Sequence, residues 1–156
     1  MRGILGGTFD HFHIGHKHFL KESFLHADEL IIGISSDKFA KALSKHPQPL
    51  QDFRTREAKL VEYLRVTGMT DDVRVIELND TYGPAAFEDG LDAIFCTSDT
   101  RAGAEKINQL RFEKGLQPLR VMEIRLVRTG DGSPVSSTRI RKGEIDENGH
   151  RREDGD

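Results

Sequence analysis

The chain carries a single cysteine, Cys96, so it cannot form an internal disulfide, and a reducing, cytoplasmic setting is the natural reading. Cys96 stands in an apolar run and reads as a small core residue rather than a nucleophile. Long hydrophobic stretches are missing too. Runs such as Leu30-Ile31-Ile32 fall far short of the roughly 18 residues a membrane span needs. Near the start, glycines and Asp10 interrupt the apolar stretch, so no secretory signal is expected. There is no basic excess: the formal net charge is −3, which argues against a general nucleic-acid binder. Neither the GxxxxGK[ST] loop nor the spaced GxGxxG fingerprint occurs, and no internal repeat is visible.

What the 156 residues do contain is an alternation of short apolar runs with longer amphipathic segments. Gly3-Ile4-Leu5, Leu30 to Ile34, Val73 to Leu78, Ala93 to Thr97 and Leu119 to Val127 read as five strands. Helical spacing of apolar residues marks segments from about Gly15 to His26, Phe53 to Thr67 and Ala102 to Lys114, the last capped by Gly115. Such alternation predicts βαβ units, hence a Rossmann-like five-stranded parallel sheet with helices on both faces. In these sheets ligands sit beyond the carboxyl ends of the strands. The loops expected there, Gly6–His16, Ser35–Lys45, Asn79–Pro84, Thr97–Gly103 and Thr129–Arg141, hold nearly every chemically interesting side chain.

The first of these loops reads Gly6-Gly7-Thr8-Phe9-Asp10-His11-Phe12-His13-Ile14-Gly15-His16 and opens a helix. Two glycines admit backbone amides close to a phosphate, and the helix start offers unpaired N–H groups. His13 and His16, three apart, share one face at the helix entry, with Gly15 between them. The rings of Phe9, Phe19 and Phe24 are assigned to the core, His11 and His18 to solvent. The glycines signal phosphate, and without a nearby cysteine the histidines are not read as a metal site. This stretch resembles the GTFDxxHxGH signature of the HxGH nucleotidyltransferases, α/β enzymes that transfer a nucleoside monophosphate from a triphosphate.

At the far end, Ser136-Ser137-Thr138-Arg139-Ile140-Arg141 follows a Gly130-Asp131-Gly132-Ser133-Pro134 turn and reads as a capped helix start rich in phosphate-suited groups. It resembles the second signature of the same superfamily. The segment from Ser36 to Lys45 is read as a loop with three lysines, Lys38 being assigned to solvent. The resemblance implies that Lys41 or Lys45 bridges the two substrates, and the sequence leaves both open.

In the middle, Leu78-Asn79-Asp80-Thr81-Tyr82-Gly83-Pro84-Ala85, then Thr97-Ser98-Asp99-Thr100 and Ile107-Asn108-Gln109-Leu110-Arg111, resemble segments of archaeal phosphopantetheine adenylyltransferases and the matching domain of eukaryotic coenzyme A synthases. Asp99 stands where that family usually has glutamate. The resemblance covers residues 3–149. It implies adenylyl transfer from ATP, accompanied by magnesium, to 4′-phosphopantetheine, by a nucleotidyltransferase domain over 1–145 with a polar, frayed tail over 146–156. The partners expected are these small molecules, with neither nucleic acid nor membrane, and the sequence leaves both monomer and homo-oligomer open. It further implies catalytic roles for His16, His13, Thr8 and Lys41 or Lys45. ATP would be held by Gly6, Gly7, Thr8, Phe9, His13, Gly15, His16, Asp99, Ser136, Ser137, Thr138 and Arg139. The acceptor would meet Thr8, Asp10, Lys41, Asn79, Asp80, Tyr82 and Arg111, with Asp10 also helping to position magnesium. Glycerol-3-phosphate cytidylyltransferase and FMN adenylyltransferase share the first signature, but the middle segment argues against both. A catalytically silent nucleotide-binding regulator is a further alternative, disfavoured because a sensor would not need both imidazoles.

Overall fold

The computed structural model describes residues 1–43 and 50–152. Five parallel strands, β1 (Arg2–Gly7), β2 (Glu29–Ser35), β3 (Val73–Leu78), β4 (Ala93–Cys96) and β5 (Arg120–Glu123), form one sheet in the order β3-β2-β1-β4-β5. The helices are α1 (Ile14–His26), α2 (Asp37–Leu43), α3 (Phe53–Val66), α4 (Arg101–Glu113) and α5 (Ser137–Arg141), with a 3₁₀ turn at Gly83–Ala86.

Side chains alternate across a strand, and that period of two divides the core. Leu5, Leu30, Ile32, Ile34 and Phe95 face Leu20 of α1 and Leu60 and Leu64 of α3. Ile4, Ile31, Ile94 and Cys96 face Ala104 and Ile107 of α4. A smaller cluster of Val135, Ile140 and Ile145 packs with Ile14 and Val127, joining the last helix to the start of α1. Leu78, at the end of β3, lies where Cβ atoms on Gly6, Gly33 and Gly83 would have to be, at 3.0, 2.5 and 2.6 Å from its side chain.

Helix ends follow from local chemistry. Asp52 caps α3 by accepting from Thr55 N at 2.8 Å. Gly115 follows α4 with φ +73°, a left-handed residue that closes the helix.

Three expectations change. The lysine-bearing segment after β2 is a helix, α2, begun by Ser36, whose Oγ accepts from Phe39 N at 3.2 Å. β5 stops at Glu123 instead of running to Val127, because the chain leaves the sheet after Ile124 N bonds Cys96 O. The expected frayed tail is incorporated as far as residue 152. Glu147 O accepts from Ile14 N at 2.9 Å, Ile145 is buried, and Ile145 and Arg151 form a β-bridge. Among the described residues no helix is long and apolar enough to cross a membrane.

Candidate active site

β1 lies between β2 and β4, so chain direction across the sheet reverses at the β1/β4 boundary, where a crevice opens beyond the strand ends. The cleft there is lined by Gly6, Gly7, Thr8, Phe9, His13, Gly15, His16 and Phe19 from the first loop and helix. Thr97, Asp99 and Thr100 come from the loop after β4, Arg125, Leu126 and Val127 from beyond β5, and Val135, Ser136 and Ser137 from the approach to α5. The two phosphate-suited segments, more than a hundred residues apart in sequence, therefore share one cleft.

Asp10 ties them together. It is 1% exposed; its Oδ1 accepts from Gln51 N at 2.9 Å, its Oδ2 pairs with Arg141, and its carbonyl accepts from Ser137 Oγ at 2.6 Å. Phe9 and His11 on either side adopt φ +55° and +45°; such left-handed residues cost about 1–3 kcal/mol each and persist only where their surroundings over-determine them. The Asp10 anchors supply that constraint. They also withdraw its carboxylate from the expected contact with magnesium and the acceptor.

His13 and His16 stack with ring centroids 3.6 Å apart. His13 Nδ1 accepts from Gly15 N at 3.0 Å and His16 N at 3.4 Å, while His16 Nδ1 accepts from His13 N at 3.1 Å, a reciprocal cap on α1. Burial, helped by the His11 charge and opposed by Asp10, lowers His13 to about 4. Burial and then the neighbouring His13 hold His16 well below its ordinary value. Both rings are thus neutral at physiological pH. Since each Nδ1 is an acceptor, each proton sits on Nε2, leaving two Nε2–H donors. Phe9 and Phe12 fix the His16 ring, with centroids at 5.2 and 5.5 Å. A Cβ on Gly15 would lie 2.8 Å from His13 Cε1, so glycine there is what lets the ring fold back onto the helix start.

This cap corrects one expectation: the first amides of α1 are not free for a phosphate. His13 Nδ1 and Glu147 O satisfy them, so the open donors at this helix start are the imidazole Nε2–H groups.

Thr8 lines the cleft, and its carbonyl accepts from the wholly buried Arg56 at 2.9 Å. That guanidinium also donates to Ser35 O at 2.7 Å, Gln51 O at 2.9 Å and Asp37 Oδ1 at 2.9 Å, so one arginine joins the first loop to α2 and α3. Sequence reasoning did not single it out, although a buried arginine on the apolar face shared with Leu60 and Leu64 was a readable anomaly.

Other expected ligands lie elsewhere. Arg111 is wholly buried and donates to the carbonyls of Gln117, Ala85 and Glu88, so it is neither a substrate contact nor a surface ion pair. Three residues earlier on α4, Asn108 clamps both backbone groups of Leu119. Asp80 Oδ1 closes its own turn by accepting from Tyr82 N and Gly83 N, and Tyr82 packs against the core cluster on the α4 face. Asn79 lines a separate polar cleft with Ser36, Lys38 and Arg54. Thr138 and Arg139 do not line the shared cleft. Arg139 turns away to Glu144, Thr129 and Pro134 O. Lys41 is exposed on the last turn of α2, and Lys45 lies outside the described residues.

The serine hydroxyls divide their tasks. Ser136 Oγ accepts from Arg139 N at 3.2 Å, which leaves its proton for an anion, whereas Ser137 Oγ donates to Asp10 O. Among the described residues no group of three His, Cys, Asp or Glu side chains converges to hold a metal ion. With Asp10 engaged as well, the donors present do not fit a resident metal.

A parallel sheet whose first loop and last helix wall one donor-rich cleft at the switch point defines an α/β nucleotidyltransferase. The chain belongs to the cytidylyltransferase-like family, whose model matches residues 4–143. It is 40% identical to a phosphopantetheine adenylyltransferase from Methanothermobacter thermautotrophicus over 146 residues, 94% of this chain and 86% of that one. A phosphopantetheine adenylyltransferase from Methanosarcina barkeri is 39% identical over 93% of this chain and 89% of its own. Among solved structures, a protein of unknown function from Archaeoglobus fulgidus superposes with a TM-score of 0.68 at 27% identity, covering 80% of this chain and 89% of that one. A bifunctional NMN adenylyltransferase/ADP ribose pyrophosphatase from Francisella tularensis shares the fold, with a TM-score of 0.60 at 16% identity over 90% of this chain and 40% of that one.

Proposed function

We propose that this protein transfers the adenylyl group of ATP to 4′-phosphopantetheine, forming dephospho-coenzyme A and pyrophosphate in the cytoplasm. The observation that carries the reading is the pair of neutral Nε2–H donors in a cleft whose other wall is Ser136 and Ser137. Support for the acceptor comes from relatives of that name at 35–40% identity over about nine-tenths of the chain.

The chemistry needs alignment and charge stabilisation more than proton transfer. A phosphomonoester has its second pKa near ~6, so at neutral pH the acceptor is already largely a dianion. One of its oxygens attacks the α-phosphorus of ATP, the bond from that phosphorus to the bridging oxygen breaks, and pyrophosphate leaves with the bond's electron pair. No general base is required. His16 Nε2–H donates to an α-phosphoryl oxygen as charge develops, and His13 Nε2–H serves the α- or β-phosphate. Thr8 positions the acceptor phosphate, and Lys41 or Lys45 bridges acceptor and donor. Magnesium would enter with ATP as the counter-ion of its phosphates and would supply charge neutralisation there.

Pyrophosphate release tests this directly. ATP and CTP are each incubated with phosphopantetheine, glycerol-3-phosphate or FMN, with and without magnesium. Release is expected only with ATP, phosphopantetheine and magnesium together. ATP binding without release, or equal release with another acceptor, refutes the reading.

A further inference from the structure

A triphosphate carries three or four negative charges, and the described cleft is poor in positive ones. Both imidazoles are neutral, Asp99 adds a negative charge, and the remaining linings are glycines, hydroxyls and apolar groups. The arginines nearest the two phosphate-suited segments are committed elsewhere. Arg141 pairs with Asp10, Arg139 with Glu144 and Asp131, and Arg56 with carbonyl oxygens and Asp37. Among the described lining residues only Arg125 carries a permanent positive charge. It is exposed, and among the described residues it makes no hydrogen bond or ion pair.

Its placement follows from the early end of β5. Ile124, 9% exposed, is pinned by its amide to Cys96 O at 2.8 Å, so the chain turns over the cleft from a fixed root. Had the strand run to Val127, residues 125–127 would have been part of the sheet. Instead Arg125, Leu126 and Val127 form one wall, with Ser136 and Ser137 also on the cleft.

We propose that Arg125 is a polyphosphate-binding residue, its guanidinium fork engaging the β- and γ-phosphates of the nucleotide bound in this cleft. The proposal rests on the reading of the cleft as an ATP site. A planar fork with several donors suits phosphate oxygens better than a point charge does, so lysine is only a partial substitute.

Equilibrium titration of the full chain with ATP, AMP and inorganic tripolyphosphate tests it without turnover. Wild type is compared with Arg125→Ala, Arg125→Lys and Arg120→Ala, the last removing an equal charge from the opposite end of β5. Arg125→Ala should weaken ATP and tripolyphosphate about tenfold or more, as expected for loss of a hydrogen bond to a charged group, and AMP by less than about twofold. Arg125→Lys should recover part of the loss, and Arg120→Ala should match wild type. Overturning results are ATP and tripolyphosphate affinities in Arg125→Ala within about twofold of wild type, or AMP weakened as much as ATP. A wild-type protein that binds ATP but releases no pyrophosphate would refute adenylyl transfer and leave the assignment of Arg125 standing.

Discussion

Acidification should weaken this fold through His13 in an amount that can be worked out beforehand. The ring is held at about 4 by burial, against the 6.5 of an ordinary imidazole. A folded pKa below the unfolded one means that the unfolded chain binds the extra proton. The stabilisation is therefore intact above pH 6.5 and is lost as pH falls towards the folded value. At 1.36 kcal/mol per pKa unit the full loss is about 3.4 kcal/mol, and at pH 5 it has reached about 2 kcal/mol. The comparison variant is His13→Asn, whose side-chain oxygen can still accept from the amides of Gly15 and His16 but does not titrate. Urea unfolding at pH 7.5 and pH 5 gives the stability of each protein. Wild type should lose about 2 kcal/mol more than the variant over that interval, a relative displacement of its midpoint by about 1 M. If both proteins lose stability equally, the desolvated, proton-refusing imidazole is wrong, and with it the assignment of the proton to Nε2.

His16→Ala should lower turnover by roughly 10²–10³ with a smaller effect on ATP affinity, because its hydrogen bond strengthens in the transition state; steady-state kinetics on the folded variant would read this. Lys41→Ala and Lys45→Ala, assayed in parallel, should show one large loss of turnover, and unchanged rates in both would remove the bridging role. Asp10→Asn strands the nearly buried Arg141 without its partner and should destabilise by about 3 kcal/mol, seen as a fall in Tm of roughly 6–12 °C.

The sheet is legible because its inner strands read as compact apolar runs, and even the edge strand β3 keeps the limits that Val73 and Leu78 set in the sequence. β5 reads longer in the sequence than it is, because Leu119 to Val127 is apolar at alternate places well past the last ladder bond, and where a chain leaves a sheet depends on tertiary partners. The lysines of α2 mask any apolar period in the sequence, although Ser36 is a readable cap. Both phosphate-suited segments could be found from residue type and spacing. What they touch could not. The carboxylate of Asp10 is claimed by an arginine 131 positions away. Arg111 and Asn108 belong to a recognisable pattern, yet they hold the backbone of this fold together rather than meeting a ligand. A motif records that a residue type matters at a position, and only packing shows whether it serves chemistry or architecture.

Leu78 sits over bare backbone contributed by two adjoining strands, so Gly6 and Gly33 answer to one and the same side chain. An alanine at either position must push that leucine aside, and once it has moved the second alanine meets no further obstacle. The double replacement should therefore be little worse than the harsher single one. A pair of glycines that looks like two separate demands on the sequence is, energetically, a single lock with two keyholes.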